Sequence, residues 1–190
     1  RTDPMTSDAA PTDPYREPQG ASTTPATDPH KVSAWTARAL AVLAGTLYFL
    51  GFAGFEIWPL SLVSLVPLLV ALRSRTGAQG FRLGWLMGTV TVGGGFYWIA
   101  PMLKTFSGFP LPLCVLFAAI LWSFQGLQFG FMAWLIARAD ARGMSRLLSV
   151  PAAVATSELV FPVLFPWYTA NSLHSVPLLI QTADLGGPTL

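Results

Sequence analysis

Along this chain, apolar residues gather into five blocks separated by short polar or charged joints, after a polar start. The blocks cover about 34–52, 57–72, 81–103, 111–137 and 147–165. None alternates apolar and polar positions with period two, so strands are not predicted. A helix crossing a membrane needs roughly 20 mostly apolar residues, and lipid admits only helices or closed barrels because backbone polar groups must be satisfied internally. The pattern therefore predicts an all-α fold: a polytopic transmembrane helical bundle of about five spans plus the start of a sixth. The second block is short and opens at Trp58-Pro59, whereas the fourth is long enough to need tilt. Gly93-Gly94-Gly95 predicts a bend in the third span, next to Tyr97-Trp98. Gly84-x-x-x-Gly88 and Gly126-x-x-x-Gly130 each put small residues on one helix face, which predicts close backbone approach.

The first 33 residues are of another kind, rich in Pro, Asp, Thr and Ala and nearly free of large apolar side chains. Such a segment cannot bury enough surface to offset its chain entropy, so 1–33 is expected to be a disordered polar tail and 34–190 the helical domain. The tail does not read as a signal peptide: the apolar run begins too far in, and no small-residue cleavage site follows it. Composition strengthens the membrane reading. Hydrophobic residues make up 53% of the chain and charged ones only 11%, against about 25% charged in soluble domains. Mean hydropathy is +0.54.

The net charge of +2 would suggest nucleic acid only if the cations lined one face of a soluble domain. They fall instead in alternate joints. Lys31, Arg38, Arg73, Arg75, Arg82, Arg138, Arg142 and Arg146 belong to one side, and Lys104 alone to the other. The positive-inside rule then puts the N-terminal tail in the cytoplasm and the loop after Phe165 outside. That loop holds "VFPVLFPWYTANS", Val160 to Ser172. Proline stops the fifth helix there, and the rings of Phe165, Trp167 and Tyr168 suit the headgroup layer.

Candidate chemistry is sparse. Glu158 is the one acidic side chain inside these spans, and an intramembrane charge is costly and often functional. It is placed to accept a hydrogen bond from Tyr168, Trp167 or a lipid headgroup, or to bond a neighbouring helix. Gln125 and Gln128, deep in the fourth span, suit helix-to-helix polar bonds. Ser172, His174 and Asp184 superficially offer a hydrolase set, but spacing alone is very weak evidence for a triad and the nucleophile elbow is missing. Cys114, the one cysteine, opens the fourth span and reads as a small buried hydrophobe. Neither a metal site nor a cofactor is expected, because no His or Cys cluster has ligand spacing and no phosphate loop follows a strand.

Three stretches, in order, resemble the apolipoprotein N-acyltransferases. They are "LGFAGFEIWPLSLVSLVPLLVALR" from Leu50, "FRLGWLMGTVTVGGGFYWIAPMLKTFSGFPLPL" from Phe81, and "SELVFPVLFPWYTANSLHSVPLLIQTADLGG" from Ser157. The last is similar to the family's Glu-bearing fifth span, its Phe-Pro-Trp motif and the lead into a sixth. The chain departs in having Leu159-Val160 where the family carries Trp and then Arg, and in Tyr168-Thr169-Ala170 after Phe-Pro-Trp. The resemblance implies an eight-span enzyme of the bacterial inner membrane with a nitrilase-like head bearing a Glu-Lys-Cys set. That head is expected to lie outside these 190 residues, so no catalytic residue is assigned here. It implies transfer of an acyl chain from a phospholipid to the N-terminal diacylglyceryl cysteine of a lipoprotein, through a cysteine thioester. Phospholipid donor and lipoprotein acceptor are the implied partners. Glu158, Phe165, Pro166, Trp167 and Tyr168 are the expected substrate-binding or positioning residues. The competing reading is a non-enzymatic small integral membrane protein, either a lipid-binding assembly factor or a transporter. A transporter fits poorly, since no repeat and no midplane polar site are visible.

Overall fold

The computed structural model describes residues 31–52, 54–165, 168–174, 176 and 181. Six α-helices follow one another: α1 Ala34–Leu50, α2 Pro59–Ala71, α3 Gly77–Gly95, α4 Ile99–Ser107, α5 Leu111–Asp140 and α6 Arg146–Val160. A 3-10 turn, Thr169–Leu173, comes after α6. No strand occurs among the described residues, so the all-α expectation holds. Tail residues 1–30 and the lead into a sixth span lie outside the described residues.

Local chemistry sets the helix ends. The Ser33 hydroxyl accepts from the Thr36 amide at 3.1 Å and caps α1. Thr76 and Gln79 form a reciprocal capping box at the start of α3, each side chain bonding the other's backbone N–H. Pro59 occupies the first turn of α2, where its missing N–H costs nothing. Gly108 and Gly143, at φ 69° and 72°, take the left-handed conformation that closes α4 and the α5–α6 joint.

Two boundaries correct the sequence expectation. The third block is not one continuous helix. Helix α3 stops at Gly95, and α4 departs at 58° to it. The glycine run predicts this bend, and the break falls directly after it. At the break the Phe96 carbonyl accepts from the Ile99 amide at 3.2 Å and from the Trp122 indole at 3.2 Å, so α5 holds the bend as well as the chain's own turn. The fifth block ends at Val160 and not at Phe165. Phe161 precedes Pro162 and is extended, at φ −78° and ψ 127°. A residue before proline is sterically pushed out of the helical region.

The most intimate pair is α3 with α5, and the glycine motifs explain it. A methyl group at Gly88 would lie 2.6 Å from the Gly126 carbonyl oxygen, and one at Gly126 would lie 2.7 Å from the Thr89 nitrogen. One at Gly84 would run into the Phe129 carbonyl. The expected close approach is therefore real, with backbone against backbone. On the other side of α3, a methyl at Gly45 would lie 2.5 Å from the Met87 carbonyl oxygen, which brings α1 equally near. The buried core, with Ala41, Ala44, Leu68, Met87, Ala133 and Ile136 among its members, lies between these helices.

By length and composition, one described helix is apolar enough to cross a membrane alone, namely α5. The bent pair α3–α4 passes the same test together, while α1 and α2 are apolar but shorter. Of the five expected crossings, length and composition support one clear helix and one composite among the described residues.

The helix ends sort by charge. The Arg75 guanidinium donates to the Val32 carbonyl at 2.8 Å, tying the end of α2 to the start of α1. Arg146 donates to the Leu69 carbonyl at 2.8 Å and pairs with Asp140 at 2.5 Å, tying α5, α6 and α2 together. Arg138 lies over the Trp134 ring, 5.2 Å from its centroid, near the start of α3. These arginines occupy one end of the bundle, where α1, α3 and α6 begin and α2 and α5 finish. Lys104, on α4, is at the other.

Candidate functional site

At the end opposite the arginines, three buried or half-buried polar side chains reach out of the helices and hold the loop that follows α6. Glu158, in the last turn of α6, accepts two hydrogen bonds at Oε1 from Thr169: from its backbone N–H at 2.7 Å and from its hydroxyl at 2.5 Å. Tyr48, 2% exposed on α1, donates its phenolic O–H to the same Thr169 oxygen at 3.0 Å. Thr169 is therefore a bridge between α1 and α6, eleven residues beyond the carboxylate that holds it. A bond accepted by a carboxylate is roughly twice as strong as a neutral one.

Gln125, 4% exposed on α5, makes the second tether. Its Oε1 accepts from the Leu164 amide at 3.0 Å, and its Nε2 donates to the Phe165 carbonyl at 3.5 Å. One amide side chain thus satisfies a donor and an acceptor of a loop backbone that has no regular partner. Phe165 itself stacks on Phe96 with centroids 6.1 Å apart and planes 20° apart, so it packs on the α3–α4 break. At the loop's far end His174 Nε2 is 3.9 Å from Glu56 Oε1, in the joint between α1 and α2.

Between these tethers lies a small cavity of about 20 Å³ lined by Tyr48, Gln128, Phe129, Ser157, Glu158 and Thr169 among others. That is about the space one water requires, and its polar lining supplies the partners a water needs. It has no room for an acyl chain or a headgroup.

The structure bears on the expected residues unequally. Glu158 meets Thr169, and not Tyr168 or a neighbouring helix as the sequence suggested. The reason is steric: with α6 ending five residues early, the chain folds back and brings Thr169 over the carboxylate. Phe165 is partly exposed and stacks on Phe96. Tyr168 is half-buried beside the tether. Pro166 and Trp167 lie outside the described residues, as does Asp184. Ser172 is 1% exposed, whereas His174 Nδ1 sits 3.1 Å from the Asn171 carbonyl, an arrangement unlike a nucleophile and its base. Gln125 bonds the loop backbone, contrary to the helix-to-helix expectation. Gln128 lines the cavity. Cys114 is fully buried, with Sγ 3.6 Å from the Phe109 carbonyl. Among the described residues no three His, Cys, Asp or Glu side chains converge as a metal centre requires.

Sequence reasoning missed Thr169 and Tyr48. Tyr48 carries a signal, a hydroxyl inside an apolar helix, but a lone threonine in a loop carries none.

Residues 44–190 match the profile of the apolipoprotein N-acyltransferase N-terminal domain. The chain belongs to this family. An apolipoprotein N-acyltransferase of Geobacter metallireducens is 33% identical over 153 residues, which is 78% of this chain and 29% of that protein. One of Pseudomonas putida is 32% identical over 161 residues, 80% of this chain and 32% of its own length. One of Pseudomonas aeruginosa PAO1 is 31% identical over 159 residues, with 80% and 31% covered. The chain thus spans about 30% of the length of the curated apolipoprotein N-acyltransferases it matches. The glycine-paired helices α3 and α5, the Glu158–Thr169 tether and the Gln125 tether all fall within the matched N-terminal domain.

Proposed function

We propose that this chain is the membrane-embedded N-terminal part of a bacterial apolipoprotein N-acyltransferase and that its task is positioning. The single observation carrying this reading is the double tether of the loop after α6, on a chain of this family. A carboxylate and an amide, both costly in lipid, are used to fix one loop at one end of the bundle.

In this reading α1, α2, the α3–α4 pair, α5 and α6 all cross or enter the bilayer of the inner membrane. The exposed surface supports it: within the most apolar 18-residue window of α5 only 28% is buried, and Leu116, Phe117, Ile120 and Phe124 face outward. A core helix of a soluble protein would be mostly buried. The arginine end is cytoplasmic by the positive-inside rule, which leaves the tethered loop on the periplasmic side. Trp167 and Phe165 then fix the loop's depth at the headgroup layer.

The reaction is acyl transfer from a phospholipid to the amine of a diacylglyceryl cysteine, by way of a thioester. The nucleophile lies outside these 190 residues, since Cys114, the chain's one thiol, is sealed in the first turn of α5. What this region contributes is geometry. Both substrates are anchored in lipid, so the reacting groups meet only if the catalytic part is held at one depth over the outer leaflet, and proximity of this kind carries much of the rate.

The test is complementation. The full-length protein, as sole copy in a strain conditional for this activity, is expected to yield lipoproteins with an acylated N-terminal amine by mass spectrometry. Accumulation of the unacylated diacylglyceryl form would overturn the reading. Glu158→Leu in the same background should cut acylation about tenfold while Glu158→Gln, which keeps an acceptor, stays within about threefold. Trp167→Ala should lower acylation and leave membrane insertion unchanged.

A further inference from the structure

A groove of about 530 Å³ opens on the flank of the bundle near the arginine end, within the volume range of ligand sites. Its floor is one face of α3: Arg82, Trp85, Leu86 and Thr89 stand at i, i+3, i+4 and i+7, a continuous stripe along a helix. Arg38 of α1 flanks it on one side and Ser123 of α5 on the other. The Trp85 indole donates to the Ser123 carbonyl at 3.0 Å, which fixes the ring as part of the wall.

Arg82 opens the α3 stripe, Trp85 and Leu86 follow one turn on, and Thr89 lies about 10 Å of helical rise beyond Arg82. Arg75, Arg142 and Arg146 donate to carbonyls or carboxylates of the chain, and Arg138 covers Trp134. Arg38 and Arg82, like Arg73, bond nothing among the described residues, and of these three Arg38 and Arg82 line the same groove. On α1, Arg38 is ten residues from Tyr48, or about 15 Å of rise, so this groove is separate from the tethered loop.

We propose that this groove holds one anionic phospholipid, its phosphate between Arg38 and Arg82 and one acyl chain along the Trp85–Leu86–Thr89 face. Charge complementarity selects the occupant. Two unpaired cations in the lining of a groove that also carries Leu83, Trp85 and Leu86 match a phosphate on a hydrocarbon chain, and arginine is the side chain suited to phosphate. Such a lipid would sit in the leaflet opposite the tethered loop, and so apart from the acyl donor of the proposed reaction. The inference needs only that the chain resides in a bilayer, so its failure would leave the acyltransferase reading standing.

The probe is phosphatidylglycerol brominated on its acyl chains, present as a minority lipid in phosphatidylcholine vesicles that contain the whole chain. Bromine quenches a nearby indole, and Trp85→Phe identifies the part of the quenching due to Trp85. The wild type is expected to show Trp85 quenching by brominated phosphatidylglycerol well above that by brominated phosphatidylcholine. The pair Arg38→Gln with Arg82→Gln should reduce that preference about 30-fold, and Arg38→Lys with Arg82→Lys should keep most of it. Because neither arginine bonds the chain, helicity by circular dichroism should be unchanged. Arg138→Gln with Arg142→Gln removes equal charge at the same end and should leave the preference intact. Equal quenching by the two lipids in the wild type would overturn the proposal. So would a glutamine pair at positions 38 and 82 that behaves as wild type, or an equal loss in the Arg138/Arg142 variant, which would mean general surface attraction.

Discussion

Thr169 concentrates the problem of holding an irregular loop at the end of an apolar bundle. Its hydroxyl accepts from Tyr48 and donates to Glu158, and its amide donates to the same carboxylate oxygen. Removing the hydroxyl alone leaves the amide bond in place but takes one acceptor from Tyr48 and one donor from Glu158. An unmade bond of this kind costs about 1–3 kcal/mol. Thr169→Val is therefore expected to raise amide hydrogen exchange across 164–173 about tenfold or more, with the α3 and α5 amides unaffected. Thr169→Ser restores the hydroxyl and should restore protection. Unchanged exchange in the valine variant would show that the tether does not hold the loop. Only part of this site was legible beforehand. Glu158 stands out because a charge in an apolar run is costly and needs a partner, whereas Thr169 acquires its role from a fold-back that begins at Pro162.

At the level of elements, the two glycine pairs decide how near α3 and α5 come. The clash a methyl would make at Gly126 is with backbone, the Thr89 nitrogen at 2.7 Å, and no rotamer change relieves it. Gly93 is different: the nearest atom to an added methyl is in the Trp122 ring at 3.6 Å, an ordinary contact. Gly126→Val should force the helices apart and destabilise the chain by about 3 kcal/mol, the upper end of the usual overpacking cost. Gly93→Ala should be neutral or stabilising by up to about 1 kcal/mol, since alanine favours helix. Thermal unfolding in detergent, followed by circular dichroism, checks both. Equal sensitivity at the two positions would mean that glycine content and not backbone contact governs the pair. From sequence the two motifs predict close approach but not which helix each meets; their mutual contact is a fact of packing. The helix boundaries show the same division. The stop at Val160 follows from Pro162 acting on Phe161, a rule legible in the residues themselves, yet the apolar run through Phe165 hides it from a hydropathy reading.

For the whole molecule, the separation of the arginine end from the tethered end makes orientation testable. With Cys114 replaced by Ala, a single cysteine at Asn171 is expected to react with a membrane-impermeant maleimide added to intact cells that lack an outer barrier. A cysteine at Arg142 should react only after lysis. Asn171 suits the experiment because it is exposed, whereas its neighbour Ser172 is buried. The reverse pattern would invert the bundle and remove the periplasmic loop from the proposed reaction.

The residues alone determined the helical class, the apolar blocks, the uneven placement of cations and the family resemblance. Each of these is a property of neighbours along the chain: hydropathy, period, and charge at a joint. Tertiary structure decided that the third block is two helices bent at 58°, and that Glu158 and Tyr48 meet at Thr169. It also decided that Gln125 holds a loop and that Arg38 and Arg82 share one groove. These are contacts between positions far apart in sequence, and they exist only because backbones at the glycine faces approach closely enough to set every other side chain in register.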